Sequence, residues 1–196
     1  MEPQQTHLQS LINLLESWTP ISSHFRQALK SCLQLQHVKQ KQELAAIGTH
    51  LNMAWYSIDC WATASHPLPN GRDEITSIYA PNEIFTDVGS FLLGHSTQHQ
   101  LTIVQGHTLL KVDRTHFNQL RGHEETAALL EHYLLLQQEK YQWRMDLLAL
   151  PDQQKFNLFA KYYPVHQLPG KTCASYLRMT PSRYSAAKNR YTHRSS

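Results

Sequence analysis

The feature that most constrains the fold of this chain is a long periodic segment from His123 to Leu150. Apolar residues recur along it at spacings of three and four, which predicts one helix of about 26 residues and ~39 Å. These residues form two neighbouring stripes. The first consists of Leu130, Leu134, Gln137, Tyr141, Met145 and Leu148, and the second of Leu129, Tyr133, Leu136, Lys140, Trp143 and Leu147.

Two apolar stripes on one helix require two packing partners. We expect the body of the same chain to cover one stripe and the same helix of a second chain to cover the other, which predicts a homodimer. The alternative is a helix buried in a single core. The residues expected at the dimer contact are Leu130, Tyr133, Leu134, Gln137 and Tyr141.

The chain before this segment is helical at first and strand-like afterwards. Apolar spacing predicts helices up to about Lys41, whereas residues from about Cys32 to Val112 alternate with a period of two. Between two such runs, Asn70-Gly71 is a strong hairpin signal. Short strands with turns between them indicate an antiparallel roll or barrel, followed by a short helix that Asp113 caps.

The C-terminal stretch reads as a helix-turn-helix. In "CASYLRMTPSRYSAAKNR" the inward positions are Cys173, Leu177, Met179, Tyr184 and Ala187. Thr180 followed by Pro181 is typical of the start of a helix, as N-cap and first residue. The second helix of such a pair usually enters the major groove of DNA.

Charge is distributed unevenly along the chain. The residues from Lys155 to Ser196 include eight Lys or Arg and no Asp or Glu, whereas the rest of the chain holds ten Lys or Arg and all 15 acidic residues. A patterned basic segment beside an acidic body predicts a polyanion partner, namely double-stranded DNA. The alternative is a solvated basic end without a partner.

Several other classes of protein and site find no support in the sequence. The chain lacks a secretory signal and any apolar run long enough to span a bilayer, so we expect a cytoplasmic protein without a membrane segment. Three widely separated Cys predict buried thiols. The 13 His have no further ligands at metal-site spacing, so we expect no metal, cofactor, catalytic residue or enzymatic activity.

Two segments carry a resemblance to a known family. "LPGKTCASYLRMTPSRYS" closely resembles the DNA-binding segment of Crp/Fnr transcription regulators, in the form common among Bacteroidota, and "NEIFTDVGSFLLGHS" resembles their effector-pocket segment. The resemblance extends from about Thr19 to Arg190. It implies an α+β fold: a cyclic-nucleotide-binding-like antiparallel β-roll with flanking helices over residues 1–122, a long dimerisation helix over 123–150, and a winged helix-turn-helix over 151–196.

The sequence departs from this family at the effector pocket. Thr86 and Asp87 stand where family members have a Gly-Glu pair for a ribose, and Gln98 to Gln100 stand where they have Arg-Ser or Arg-Thr for a phosphate. No Lys or Arg lies between Arg72 and Lys111. A buried phosphate without a cation costs several kcal/mol. We therefore expect a degenerate pocket that does not bind cyclic AMP, and an effector that the sequence does not identify.

The second departure lies in the recognition helix. Ser182 and Ala186 stand where many members have Glu and Arg, so the usual bidentate contact to guanine is missing. Arg178 replaces the turn glycine, which costs strain if its φ is positive. The residues expected at DNA are Lys171, Thr180, Ser182, Arg183, Ser185, Lys188, Asn189 and Arg190. The sequence predicts a homodimeric DNA-binding regulator; the alternative is a sensor or interaction module of the same fold that no longer reads DNA specifically.

Overall fold

A computed structural model describes residues 3–69 and 71–194 of the chain, so Asn70 of the hairpin signal lies outside the described residues. The chain divides into two compact units. Unit 1 comprises Met1–Ala64 and Ile78–Leu135, and unit 2 comprises Ser65–Ser77 and Leu136–Ser196. The sequence did not indicate that residues 65–77 group with the C-terminal part of the chain.

The described residues begin with two helices, continue through strands that one helix interrupts, and end with five helices. The helices are α1 (Pro3–Trp18), α2 (Ser23–Cys32), α3 (Val88–Leu93), α4 (Arg114–Leu120), α5 (Glu124–Ala149), α6 (Asp152–Tyr162), α7 (Gly170–Tyr176) and α8 (Pro181–Arg194). The strands are β1 (Gln34–His37), β2 (Glu43–Ala45), β3 (Met53–Ser57), β4 (Trp61–Pro67), β5 (Asp73–Tyr79), β6 (Ile84–Phe85), β7 (Gln100–Gln105) and β8 (Thr108–Asp113). No helix in these ranges is long and apolar enough to cross a membrane.

The strands form two four-stranded sheets, with the orders β1-β8-β3-β6 and β2-β7-β4-β5. Their recorded pairings are antiparallel, which confirms the predicted antiparallel sheets. The expectation of helix up to about Lys41 is wrong, because α2 ends at Cys32 and β1 begins at Gln34. The reason is local. The amide of Leu33 donates the last hydrogen bond of α2 to the carbonyl of Leu29, and Leu33 itself has extended backbone angles.

Unit 1 has two apolar cores, and strand β3 contributes to both. Trp55 belongs to the core of the roll with Phe85 and Ile103, whereas its neighbour Tyr56 belongs to a second core. Successive side chains of a strand point to opposite faces, so the two cores lie on opposite faces of β3. The second core is formed with apolar residues of the helices, including Leu11, Phe25, Leu120 and Leu129.

Helix α5 confirms the predicted long helix within one residue at each end. Of the second stripe, Leu129, Tyr133 and Leu147 are buried. Of the first stripe, Leu134 is 39% exposed in the unit 1 half of the helix, and Tyr141 (64%) and Met145 (38%) are exposed in the unit 2 half. Tyr133, which we grouped with the dimer contact, is buried within unit 1 and is not part of the exposed stripe.

Unit 2 packs α6, α7 and α8 around a small aromatic core. Phe156 and Phe159 of α6 are fully buried, and Phe156 contacts Tyr184 of α8 with ring centroids 5.3 Å apart. The described residues from 151 to 194 contain helices only, so the strands of the expected wing are not found there. The connection between α6 and α7 carries Pro164 and Pro169, which lack the amide that a strand ladder requires.

Candidate nucleic-acid interface and effector site

The turn between α7 and α8 is set by a left-handed residue. Arg178 has φ +52°, and the amides of Met179 and Arg178 donate to the carbonyls of Ala174 and Ser175. This is the double hydrogen bond of a Schellman motif, whose left-handed position is usually Gly. The strain expected at Arg178 is therefore present, at about 1–2 kcal/mol.

Helix α8 begins as the sequence predicts. The Thr180 hydroxyl accepts from the amide of Arg183 at 3.3 Å, and Pro181 occupies the first helical position, where its missing N–H costs nothing. Tyr184 and Ala187 are buried against the rest of unit 2. The opposite face of α8 is exposed; it carries Ser182, Arg183, Ser185, Ala186, Asn189 and Arg190.

Several of the basic residues in this segment already have partners within unit 2. Arg183 donates through Nε to Asp152 at 2.5 Å, and Lys188 donates through Nζ to the carbonyl of Val165 at 3.0 Å. Lys155 is buried; its Nζ donates to the carbonyl of Leu177 at 3.3 Å, and burial lowers its pKa. Unit 2 therefore presents fewer free cations than the charge count of the sequence implies.

Two of the residues expected at DNA remain exposed cations. Lys171 lies in the first turn of α7, and Arg190 lies on the outward face of α8. Neither makes an ion pair with any residue that the structure describes. They are the side chains in this segment best placed to hold phosphates.

A buried carboxylate, which sequence reasoning missed, joins the hairpin segment Ser65–Ser77 to α5 and to the turn between α7 and α8. Glu74 of β5 accepts from Arg144 of α5 and from Arg178 of the turn, both at 2.7 Å through Oε1. The side chains of Glu74 and Arg144 are each 5% exposed, whereas that of Arg178 is 54% exposed. Burial raises the pKa of Glu74, but the two guanidinium groups lower it more, so the net pKa lies below the ordinary value.

Arg144 and Ser175 extend this network. Arg144 also donates to the carbonyls of Ile75 (3.0 Å) and Tyr176 (3.2 Å), and its guanidinium lies 4.9 Å from the centroid of the Tyr176 ring. The Ser175 hydroxyl of α7 donates to the carbonyl of Asp73 and accepts from the amide of Ile75. The hairpin thus holds α7 and the turn between α7 and α8 within unit 2.

The residues of the expected effector pocket make their hydrogen bonds within unit 1. The Thr86 hydroxyl donates to the carbonyl of Met53 at 2.8 Å, Gln98 donates to the carbonyl of Ser96, and Gln100 bonds to Glu43. The expectation that these residues mark a degenerate pocket remains a prediction.

Asp87, the remaining residue of that group, is the N-cap of α3. Its carboxylate accepts from the amide of Ser90 (2.9 Å), the hydroxyl of Thr97 (2.7 Å) and His99 Nδ1 (3.3 Å). Burial raises the pKa of Asp87, but these hydrogen bonds outweigh burial and leave it below its ordinary value. The carboxylate has little capacity left to accept from a ribose hydroxyl.

A cation that the sequence analysis did not consider lies beside α3. Arg114, the first residue of α4, donates through Nη2 to the carbonyls of Leu51 (2.9 Å) and Ser90 (2.5 Å). These bonds engage Nη2 only, and the buried Nε of Arg114 has no hydrogen-bond partner among the described residues.

Tyr133 has a buried hydroxyl without a hydrogen-bond partner among the described residues. Burial raises its pKa well above the ordinary value.

We expect Tyr133→Phe to leave the free energy of unfolding unchanged or to raise it by up to about 1 kcal/mol, because no hydrogen bond is lost. Denaturant unfolding measures this. In the matched control, Tyr56→Phe, the lost hydroxyl bonds to Ser10 and Asn82, so about 1 kcal/mol should be lost. Equal losses in both variants would contradict the assignment.

The described residues contain no group of three or more His, Cys, Asp or Glu arranged to hold a metal ion. Cys32, Cys60 and Cys173 are free thiols and are buried, as predicted. Burial raises the pKa of the Cys60 thiol to about 12, which leaves it protonated at neutral pH. This thiol is therefore not a reactive nucleophile.

Comparison with solved structures identifies the fold. FixK2 from Bradyrhizobium japonicum is 13% identical, with a TM-score of 0.73 over 83% of this chain and 86% of that one. The c-di-GMP-responsive global regulator CLP of Xanthomonas campestris is 9% identical, with a TM-score of 0.68 over 89% and 93%. The catabolite activator protein of Thermus thermophilus is 15% identical, with a TM-score of 0.56 over 91% and 87%.

No family model matches the sequence, and no curated protein is significantly similar to it. The resemblance to Crp/Fnr regulators is confirmed at the level of the fold, which this chain shares with such regulators and with cyclic nucleotide-binding domains. Since identities this low carry no information about ligands or operators, function has to be argued from the residues.

Proposed function

We propose that this chain is a homodimeric, DNA-binding transcription regulator of the Crp/Fnr type. The observation that carries the proposal is the outward face of α8, which is polar and includes the exposed cation Arg190. The helix that presents this face has its N-terminus capped by Thr180. In this proposal residues 1–122 form the sensor domain, 123–150 the dimerisation helix and 151–196 the DNA-binding domain. In this proposal the partner is genomic DNA, the protein acts in the cytoplasm, and it is a regulator and not an enzyme.

The proposed contacts to DNA fall into two groups. Lys171, Lys188 and Arg190 hold phosphates, and Thr180, Ser182, Arg183, Ser185 and Asn189 lie toward the groove. Asn189 and Arg183 are the side chains able to read bases, adenine and guanine respectively. Because Arg183 is paired with Asp152, it has to exchange that partner before it contacts a base.

Selection of bound duplexes from a random DNA pool tests the proposal. A dimer with two α8 helices should enrich a pseudo-palindrome whose half-sites lie about one helical turn, or ~10 base pairs, apart.

Binding without enrichment of any sequence would favour the second candidate, an interaction module of the same fold. The pairing of Arg183 with Asp152 and the presence of Ala186 at the centre of the face support that candidate.

Asp152 should weaken DNA binding, because it competes with the duplex for Arg183. We expect Asp152→Asn to tighten binding to a duplex about fivefold, which corresponds to the ~1 kcal/mol of an exposed ion pair. Fluorescence anisotropy with a labelled duplex measures the change. Asp146→Asn removes the same charge from an exposed position on α5 and serves as the control. Equal tightening in both variants would mean that net charge, and not release of Arg183, is responsible.

The proposed dimer uses the exposed apolar residues of α5. We expect the full chain to have twice the 22.7 kDa monomer mass in light scattering at micromolar concentration. Tyr141→Glu with Met145→Glu should give a monomer, because two carboxylates would be buried at the helix contact. Ala128→Glu, on an exposed polar part of the same helix, should remain dimeric. A monomeric native chain would refute the dimer.

We propose that the effector is not a cyclic nucleotide. The carboxylate of Asp87 is already occupied, and Arg114 is held by two backbone carbonyls. The residues of the expected pocket, Thr86, Asp87, Gln98 and Gln100, offer a cyclic phosphate no cationic partner, and burying a phosphate without one costs several kcal/mol.

A further inference from the structure

An apolar cavity that is partly open to solvent lies at the second core of unit 1. Its volume is about 130 Å³, and its walls come from helices α1 to α5 and from strands β3, β6 and β8. Representative lining residues are Leu11, Phe25, Ala54, Phe91, Phe117 and Leu129. The residues from β3 and β8 include Tyr56 and Leu110, which belong to the second core and not to the core of the roll.

The walls of the cavity carry no charged side chain. Of the lining residues with hydroxyls, Thr86 donates to the carbonyl of Met53, Thr126 donates to the carbonyl of Leu120, and Tyr56 bonds to Ser10 and Asn82. These three hydroxyls have partners in the chain, whereas that of Tyr133, which also lines the cavity, has none among the described residues. An ion would lose its hydration without compensation, and a water molecule would lack the two to four polar partners that it needs.

The size of the cavity limits its occupant. Native cores contain few voids larger than a water molecule, because the lining residues of a larger void lose packing contacts. An apolar cavity of about 150 Å³ holds one benzene ring. The cavity in unit 1 matches a compact molecule of that order.

We propose that this cavity is a binding site for a neutral, mainly apolar molecule built around a single ring. The site is lined mainly by residues of the second core, with Trp55 of the roll core also at its wall, and it does not use Asp87, Gln98 or Gln100. A ligand in this cavity would bind through apolar contacts, which the polar residues of the expected effector pocket do not offer. The inference concerns binding by unit 1 and does not depend on DNA binding.

The four tryptophans allow binding to be located. Trp18 and Trp55 line the cavity, whereas Trp61 and Trp143 do not. The full chain labelled with 5-fluorotryptophan should give four ¹⁹F resonances, assigned by single Trp→Phe variants. Titration with toluene should shift the resonances of Trp18 and Trp55 saturably and leave those of Trp61 and Trp143 in place. Benzoate, which has similar size but carries a charge, should shift none of them saturably.

Two substitutions test the volume. Ala54→Leu adds three carbon atoms at the wall, and we expect toluene to bind at least tenfold more weakly, whereas Ala128→Leu, an exposed control, should bind as the native chain does. Phe117→Leu enlarges the cavity, so this variant should bind butylbenzene with higher affinity than the native chain does. If Ala54→Leu does not fold, the Phe117→Leu variant and the comparison of toluene with benzoate still test whether the cavity binds an apolar ring.

Three outcomes would overturn the proposal. The first is no saturable response to toluene up to its solubility, and the second is an equal response at all four tryptophans. The third is saturable binding of benzoate equal to that of toluene. Because none of these measurements uses DNA, their failure is distinguishable from a failure of the regulator proposal.

Discussion

Glu74→Ala is expected to destabilise unit 2 by about 3–5 kcal/mol. The substitution leaves the Arg144 guanidinium buried without its carboxylate, and removing one partner of a buried ion pair costs that amount. The turn between α7 and α8 also loses its contact through Arg178. Hydrogen exchange of the α7 and α8 amides, together with denaturant unfolding, measures the effect on unit 2.

Matched variants separate the buried pair from the exposed one. Arg178→Ala removes the partner that is 54% exposed, so a loss of at most about 1 kcal/mol is expected. Glu74→Leu combined with Arg144→Leu removes both buried charges and should recover most of the stability. A Glu74→Ala variant no less stable than Arg178→Ala would contradict this account of the network.

The same network makes unit 2 sensitive to acid. Because the folded pKa of Glu74 lies below its ordinary value of 4.5, its contribution is present in full above pH 4.5 and is lost as the pH falls through the lowered pKa. Glu74→Ala lacks this contribution at every pH. The stability difference between the native chain and the variant should therefore narrow as the pH falls below 4.5.

Reversing the charge of two exposed cations should abolish measurable DNA binding. We expect Lys171→Glu combined with Arg190→Glu to weaken binding of a duplex by about 100-fold or more at 100 mM salt. Each protomer loses two phosphate contacts and gains two repulsive charges, and the proposed dimer doubles the effect. Fluorescence anisotropy over a range of protein concentrations measures the loss. Both residues are exposed, so the stability of unit 2 should change little.

The control for this loss is an equal charge change in unit 1. Lys39→Glu combined with Lys41→Glu alters net charge by the same amount at exposed positions outside the helix-turn-helix. We expect less than a threefold change in DNA affinity from this pair. If both double variants lose affinity equally, the protein binds DNA through its net charge and α8 has no special role.

Local patterns in the sequence predicted the elements whose signals lie close together along the chain. The apolar spacing of α5, the Thr180-Pro181 start of α8 and the strain at Arg178 each depend on a few neighbouring residues, and each is found in the structure. The alternation from Cys32 to Val112 indicated strands in general and did not separate short ones such as β2 and β6, because three and two residues are too few to show a period.

The contacts that decide the candidate site could not be predicted from the sequence. Glu74 lies 70 residues from Arg144 and 104 from Arg178, and Asp152 lies 31 from Arg183. No local pattern signals such pairs. The sequence therefore showed a basic segment without acids, whereas the fold supplies two carboxylates that neutralise part of it. Tyr133 was placed at the dimer contact because its stripe and the exposed one are adjacent on the helix.

The central claim is that the exposed face of α8 and the free cations beside it bind duplex DNA. The most direct test is the affinity of the native full chain for a duplex between 50 and 300 mM salt. We predict that log K falls linearly with log salt concentration, with a slope of about −4 or steeper, since four free cations of a dimer release about four counterions. A slope near zero, or no binding at 50 mM salt, would contradict the claim.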